Sequence, residues 1–153
     1  MRSYPAAGRN GCAQAALATL LHHHGRPVDV RALDRAHPPD TPFRLLGTTP
    51  WGLLRAARAL GLDARYVWGH RDVARLARHL AESGPAIVLL DVGRRAPMMH
   101  WAVAHAAGPE GVSLASLPGD AYWPWPRFLR AWRGVPLPGY RHGALLARPS
   151  SER

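Results

Sequence analysis

Asn10-Gly11-Cys12-Ala13-Gln14-Ala15-Ala16-Leu17 places the chain's one cysteine at the expected start of a helix. The first amides of a helix lack intrahelical acceptors, and the helix dipole is positive at that end. A thiol held there is biased toward thiolate, its nucleophilic form. His100, which opens an expected strand after a loop, is the candidate base. In such a pair imidazole takes the thiol proton, the amide of Cys12 donates to a developing oxyanion, and a third polar group holds the ring. Each residue also has a plain reading by itself, as a small buried thiol and as a partly buried histidine.

Other clusters are weaker candidates. Three successive helical residues point about 100° apart, so His22-His23-His24 cannot converge on one ion. Histidines at a helix C-terminus suit the dipole, and no metal or cofactor is expected. Trp123-Pro124-Trp125-Pro126, with Trp132, reads either as late core packing or as a wall of a peptide groove. On the groove reading, Trp101, Trp123 and Trp125 are candidate substrate contacts. Loop 91–99, with Arg94, Arg95, Met98 and Met99, is a candidate for the facing rim, with Gly93 as a point of movement.

The elements that must position these residues follow from periodicity and punctuation. Residues 10–24 carry apolar side chains at helical spacing, with Asn10 as the expected N-cap and Gly25 as the stop. Shorter helices are expected over 28–36 and 71–82. Another runs from Thr49-Pro50, a cap followed by proline at the first helical position, to Leu60. A short strand spans 63–68. The continuous apolar run Ala86-Ile87-Val88-Leu89-Leu90 reads as a central strand. Strands over 100–104, 111–115 and 143–147 and a short helix over 126–132 complete the chain. Helices in the first half and an antiparallel meander in the second make an α+β pattern, read as one domain over 1–153.

Composition narrows the function classes. With 153 residues and 47% hydrophobic content, the chain can bury a core. One cysteine excludes an intrachain disulfide and fits a reducing, cytoplasmic setting. No signal peptide or membrane span is read. The formal charge of +10 comes wholly from 20 arginines without a lysine, dispersed along the chain. No basic stripe with interleaved aromatics is present, so nucleic acid is not an expected partner.

The segment around Cys12 resembles the cysteine-bearing segment of C39-like peptidases, within the papain-like superfamily. Trp51-Gly52-Leu53-Leu54-Arg55-Ala56-Ala57-Arg58-Ala59-Leu60-Gly61-Leu62 resembles their helix before the first strand. Gly84-Pro85-Ala86-Ile87-Val88-Leu89-Leu90-Asp91, followed by His100-Trp101-Ala102-Val103, is similar to their central and histidine strands. The resemblance covers roughly residues 5 to 135. It implies a papain-like fold, N-terminal helices packed on a C-terminal antiparallel sheet, and a peptide substrate or ligand. It also implies Cys12 as nucleophile and His100 as base. Three positions depart from the family pattern. Ala13-Gln14 stands where Gly-Pro is usual, and Ala6 where a glutamine completes the oxyanion hole. Asn10 and Gln14 are the substitute candidates for that donor. Ser116 stands where the orienting aspartate belongs, with Asp120 as the alternative carboxylate. Losing one oxyanion donor costs about 10²–10³ in rate. The expectation is therefore weak or specialised thiol acyl chemistry on a peptide or amide bond, and the alternative is a catalytically degenerate domain that binds a peptide without cleaving it.

Overall fold

The computed structural model describes residues 1, 4–6, 10–41, 47–68, 72–117 and 121–150. Helix α1 spans Cys12–His23, α2 Val30–Ala36, α3 Pro50–Ala59, α4 Val73–Glu82 and α5 Trp125–Arg133. Strands are β1 Leu62–Val67, β2 Ala86–Asp91, β3 Met99–Ala107, β4 Gly111–Ala115, β5 Tyr122–Pro124 and β6 Ala144–Pro149. They form one six-stranded antiparallel sheet in the order β1-β6-β2-β3-β4-β5. The architecture is α+β, as the segregation of helices and strands indicated. Among the described residues no helix is long and apolar enough to cross a membrane.

Two features differ from the expected arrangement. The last strand does not extend the meander, because β6 inserts between β1 and β2. Leu145 and Ala147 face one side and Ala144 and Leu146 the other, so β6 buries both faces and suits an interior position. Helices also cover both sides of the sheet. On one side α1 packs against β3, with Leu17, Ile87, Leu89, Trp101, Val103 and Leu145 in its core. On the other side α4 and α5 close over Val88, Leu90, Ala102, Leu114 and Leu146.

Helix α1 is buried along its length, with Ala13 through Leu21 all out of solvent. Alanine at 13, 15, 16 and 18 lets neighbouring elements approach it closely. Helix α3 begins as its sequence dictates. Thr49 Oγ1 accepts from the Gly52 amide at 3.1 Å, and Pro50 sits at the first helical position. The Asp40 carboxylate fixes this start by accepting from the Thr49 amide and hydroxyl, both at 2.6 Å.

On the second face Trp132 is fully buried, and its Nε1 donates to the Gly143 carbonyl at 2.9 Å, tying α5 to the entry of β6. Replacing Trp132 with Ala is expected to destabilise the fold by about 3–5 kcal/mol, the range for large aromatic truncations in a core. Urea unfolding followed by far-UV circular dichroism measures it.

Candidate active site

Cys12 is the first residue of α1. The N-cap is Gly11, not Asn10, and no side chain caps the helix start. Asn10 lies one residue too early to reach the first-turn amides in the N-cap manner. The backbone amides of Trp101, Ala13 and Cys12 act on the thiol from nearby. They favour thiolate, yet burial outweighs them and pushes the thiol's pKa above its ordinary value. The thiolate bias expected from the helix start is thus overturned at rest, because desolvation of a charged sulfur exceeds what three dipoles return.

The sulfur borders a cavity of about 160 Å³ whose walls include Thr48, Pro50, Met99, Trp101, Leu137 and Tyr140. Trp101 forms an inner wall. It is 2% exposed, with Nε1 donating to the Thr48 carbonyl at 2.9 Å. Gln14 braces the same wall: its amide nitrogen donates to the Thr48 hydroxyl at 3.1 Å and to the His37 carbonyl at 2.7 Å. Both amide hydrogens are committed there, so Gln14 is a buried strut and does not serve as the oxyanion donor considered above.

His100 lies at the start of β3, across from Leu90. Its Nε2 hydrogen-bonds the Ser116 backbone carbonyl at 2.5 Å. A carbonyl only accepts, so Nε2 carries the proton and the lone pair of the neutral ring is on Nδ1. Burial lowers the ring's pKa, partly countered by the Ser116 carbonyl. Among the described residues no hydrogen bond joins the Cys12 thiol to the His100 ring. The two meet the same strand peptide instead: the Trp101 amide that acts on the thiol is the one that follows His100.

Ser116 holds the position of the missing orienter, but through its carbonyl and not its hydroxyl. Its φ of +61° turns the backbone into the left-handed region just past β4. The hydroxyl points to α1 and bonds Thr19 Oγ1 at 2.8 Å. Asp120, the alternative orienter, lies outside the described residues. Thr19, Thr48 and the Ser116 carbonyl were not visible in the sequence, since a backbone acceptor and two buried threonines carry no motif.

Trp123 does share a surface pocket with Gly93, Arg94 and Met98, but that pocket is separate from the Cys12 cavity, so the aromatic wall is not at the thiol. Trp123 is 6% exposed and belongs to the core on the α4–α5 side, where Arg127 stacks on its ring at 4.2 Å. Trp125 packs against that same core and donates to the Gly108 carbonyl. Neither borders the Cys12 cavity, because β5 is the far edge strand and its buried face points away from α1. Of loop 91–99, Met99 walls the Cys12 cavity while Gly93, Arg94 and Met98 border the pocket beside Trp123, and the turn at Gly93 is braced. Asp91 Oδ1 accepts from the amides of Gly93 and Met98, and a Cβ at Gly93 would fall on the Ala96 carbonyl. The exposed aromatics near the site are Trp51 and Trp68, whose rings meet edge-on at 5.1 Å. Tyr66 links them inward to Trp101, with ring centroids 4.8 Å from Trp68 and 6.2 Å from Trp101.

Gln14→Leu is expected to cost about 1–3 kcal/mol, since it removes the hydrogen bonds to the buried Thr48 hydroxyl and the part-buried His37 carbonyl. It is also expected to loosen the Thr48 wall, read as a red shift of Trp101 emission alongside the urea midpoint.

No family model and no curated relative matches the sequence. Solved structures match the fold. The peptidase domain of Streptococcus ComA, a bifunctional ABC transporter involved in a quorum-sensing pathway, aligns with a TM-score of 0.74 at 22% identity, covering 97% of this chain and 98% of that one. A double-glycine-motif protease from an AMS/PCAT transporter, in complex with the leader peptide, gives 0.72 at 18% identity over 97% and 91%. A C39-like peptidase from Bacillus anthracis gives 0.69 at 16% identity over 94% and 90%. The structural neighbours of this chain are C39-like peptidase domains, and it shares their papain-like fold.

Proposed function

We propose that this protein is a cysteine-nucleophile hydrolase or acyl-transfer enzyme acting on a peptide or amide bond. One observation carries the reading. In the fold of C39-like peptidase domains, the Cys12 sulfur sits at an amide-lined helix start, against the His100–Trp101 peptide, and opens onto a cavity. Cys12 is the nucleophile. His100 is the base and later the acid, using Nδ1, because Nε2 is committed to Ser116.

At rest both groups are neutral at pH 7, the thiol raised and the imidazole lowered by burial. Attack therefore couples to proton transfer. As Nδ1 takes the thiol proton, sulfur bonds to the substrate carbonyl carbon and the carbonyl oxygen becomes an oxyanion. The amides of Cys12 and Ala13 are the nearest donors to it, with Asn10 as the side-chain candidate. Collapse expels the amine, which takes the proton from His100 and leaves a thioester. Water attacks that thioester through the same base, or an amine does so in acyl transfer. A neutral carbonyl stabilises an imidazolium less than a carboxylate does, so turnover is expected to be slow. The substrate class is a peptide, with Gly-Gly segments the first to test, given the double-glycine-motif neighbour.

A second reading, a peptide-binding domain without turnover, is favoured by the same burial that keeps both groups uncharged. Alkylation of Cys12 by iodoacetamide across pH separates the two. For an enzyme, the rate rises as the imidazole loses its proton below pH 6.5, stays level, and rises again above pH 9.0, because the ring pKa is lowered from 6.5 and the thiol pKa raised from 9.0. His100→Ala then removes the level portion, slowing alkylation at pH 7.5 by about 10²-fold, the lower range for general-base catalysis. A single rise above pH 9.0, identical in both proteins, establishes the binding domain instead. In the enzyme case, cleavage of a Gly-Gly peptide, followed by mass spectrometry, is lost in Cys12→Ala.

A further inference from the structure

Cys12 and Thr19 are seven residues apart on α1, two turns, and so share one helix face. Thr19 is fully buried, and every position on its hydroxyl is assigned. It donates to the Ala15 carbonyl at 2.8 Å and accepts from the Tyr4 amide at 3.2 Å. Its remaining lone pair meets Ser116 Oγ at 2.8 Å. Its single proton is already used, so in that last bond Ser116 is the donor.

Ser116 is in turn one of two described non-glycine residues with positive φ. An L-residue is disfavoured in that region and persists only where its surroundings hold it. The Ser116–Thr19 bond spans 97 residues of sequence and is a restraint of that kind. The left-handed turn aims the Ser116 carbonyl at His100 Nε2. A continuous chain thus runs from the Ala15 carbonyl through Thr19, Ser116 and the Ser116 peptide to the imidazole.

We propose that Thr19 is a positioning residue for His100: from the helix that carries Cys12, it holds Ser116 in the conformation whose carbonyl fixes the ring and its tautomer. This rests on the reading of His100 as base. The arrangement supplies by backbone what a carboxylate at position 116 would supply by side chain. It also references the base to the nucleophile's own helix, so movement of α1 carries both.

The test uses the full chain and two readouts. The ¹⁵N shifts of the His100 ring, assigned by their loss in His100→Gln, report the tautomer without any need for reactivity. Iodoacetamide alkylation at pH 7.5 reports the consequence for Cys12. Wild type is expected to show the Nε2–H tautomer. Thr19→Val is expected to mix the tautomers and slow alkylation roughly tenfold, the scale of one ordinary hydrogen bond. Thr19→Ser restores both. Ser116→Ala removes the donor from the other end and is expected to match Thr19→Val, which keeps the test valid if Thr19→Val unfolds. An unchanged His100 tautomer in folded Thr19→Val or Ser116→Ala overturns the proposal. If the tautomer shifts while alkylation ignores both Thr19→Val and His100→Ala, positioning stands and the base role fails.

Discussion

The burial of α1 from Ala13 to Leu21 is the constraint on which the rest depends. An exposed amphipathic helix can rock about its apolar stripe, but a helix enclosed from Ala13 to Leu21 has one place to sit. The four alanines among those residues bring α1 close to β3 and to its neighbouring helices. That closeness puts Cys12 against the strand peptide after His100, and Thr19 against Ser116. The same helix directs Gln14 under the segment that walls the cavity. The placement of the thiol, the cavity wall and the Thr19–Ser116 contact thus all follow from one packed element.

Burial fixes the site and also changes its electrostatics. Burial raises the thiol's pKa, and the backbone amides of Trp101, Ala13 and Cys12 counter it only in part. Burial likewise lowers the imidazole's pKa, although a carbonyl accepts from its Nε2. Both shifts disfavour charge, which works against an ion pair ahead of a substrate. In the proposed mechanism proton transfer therefore belongs to the reaction step, when developing charge on the substrate oxygen can use the helix-start amides. A preformed thiolate–imidazolium pair would need a more polar surrounding, or a carboxylate near the ring, and Ser116 offers a neutral carbonyl in its place.

The residues that were legible in the sequence are those whose signal is local. Thr49-Pro50 capped α3 as its residue types require. Gly111–Ala115 formed a strand with the expected bounds, and the apolar run from Ala86 became an interior strand. Asn10 misled by one residue, because an N-cap is set by backbone dihedrals and not by residue type alone. The tryptophans at 123 and 125 misled for a different reason. Their prolines and aromatic rings suit a groove and a core equally well, and only the sheet order shows which side of the molecule they occupy. Trp51 and Trp68, thirds of a domain away from the sequence's aromatic cluster, are the rings that tertiary packing leaves exposed near the cavity.

The sequence by itself determined the element types, the α+β class, the one possible thiol and the histidine at a strand start. These follow from periodicity, turn chemistry and residue identity, which act over a few residues. Tertiary structure decided where β6 inserts, which tryptophans face the cavity, what Gln14 braces, and how the ring at position 100 is held. It also decided the charge state of the thiol, since desolvation depends on everything packed around a group and not on its neighbours in the chain. The Ser116 carbonyl marks that boundary most clearly: every residue has a carbonyl, and only the fold turns this one toward an imidazole.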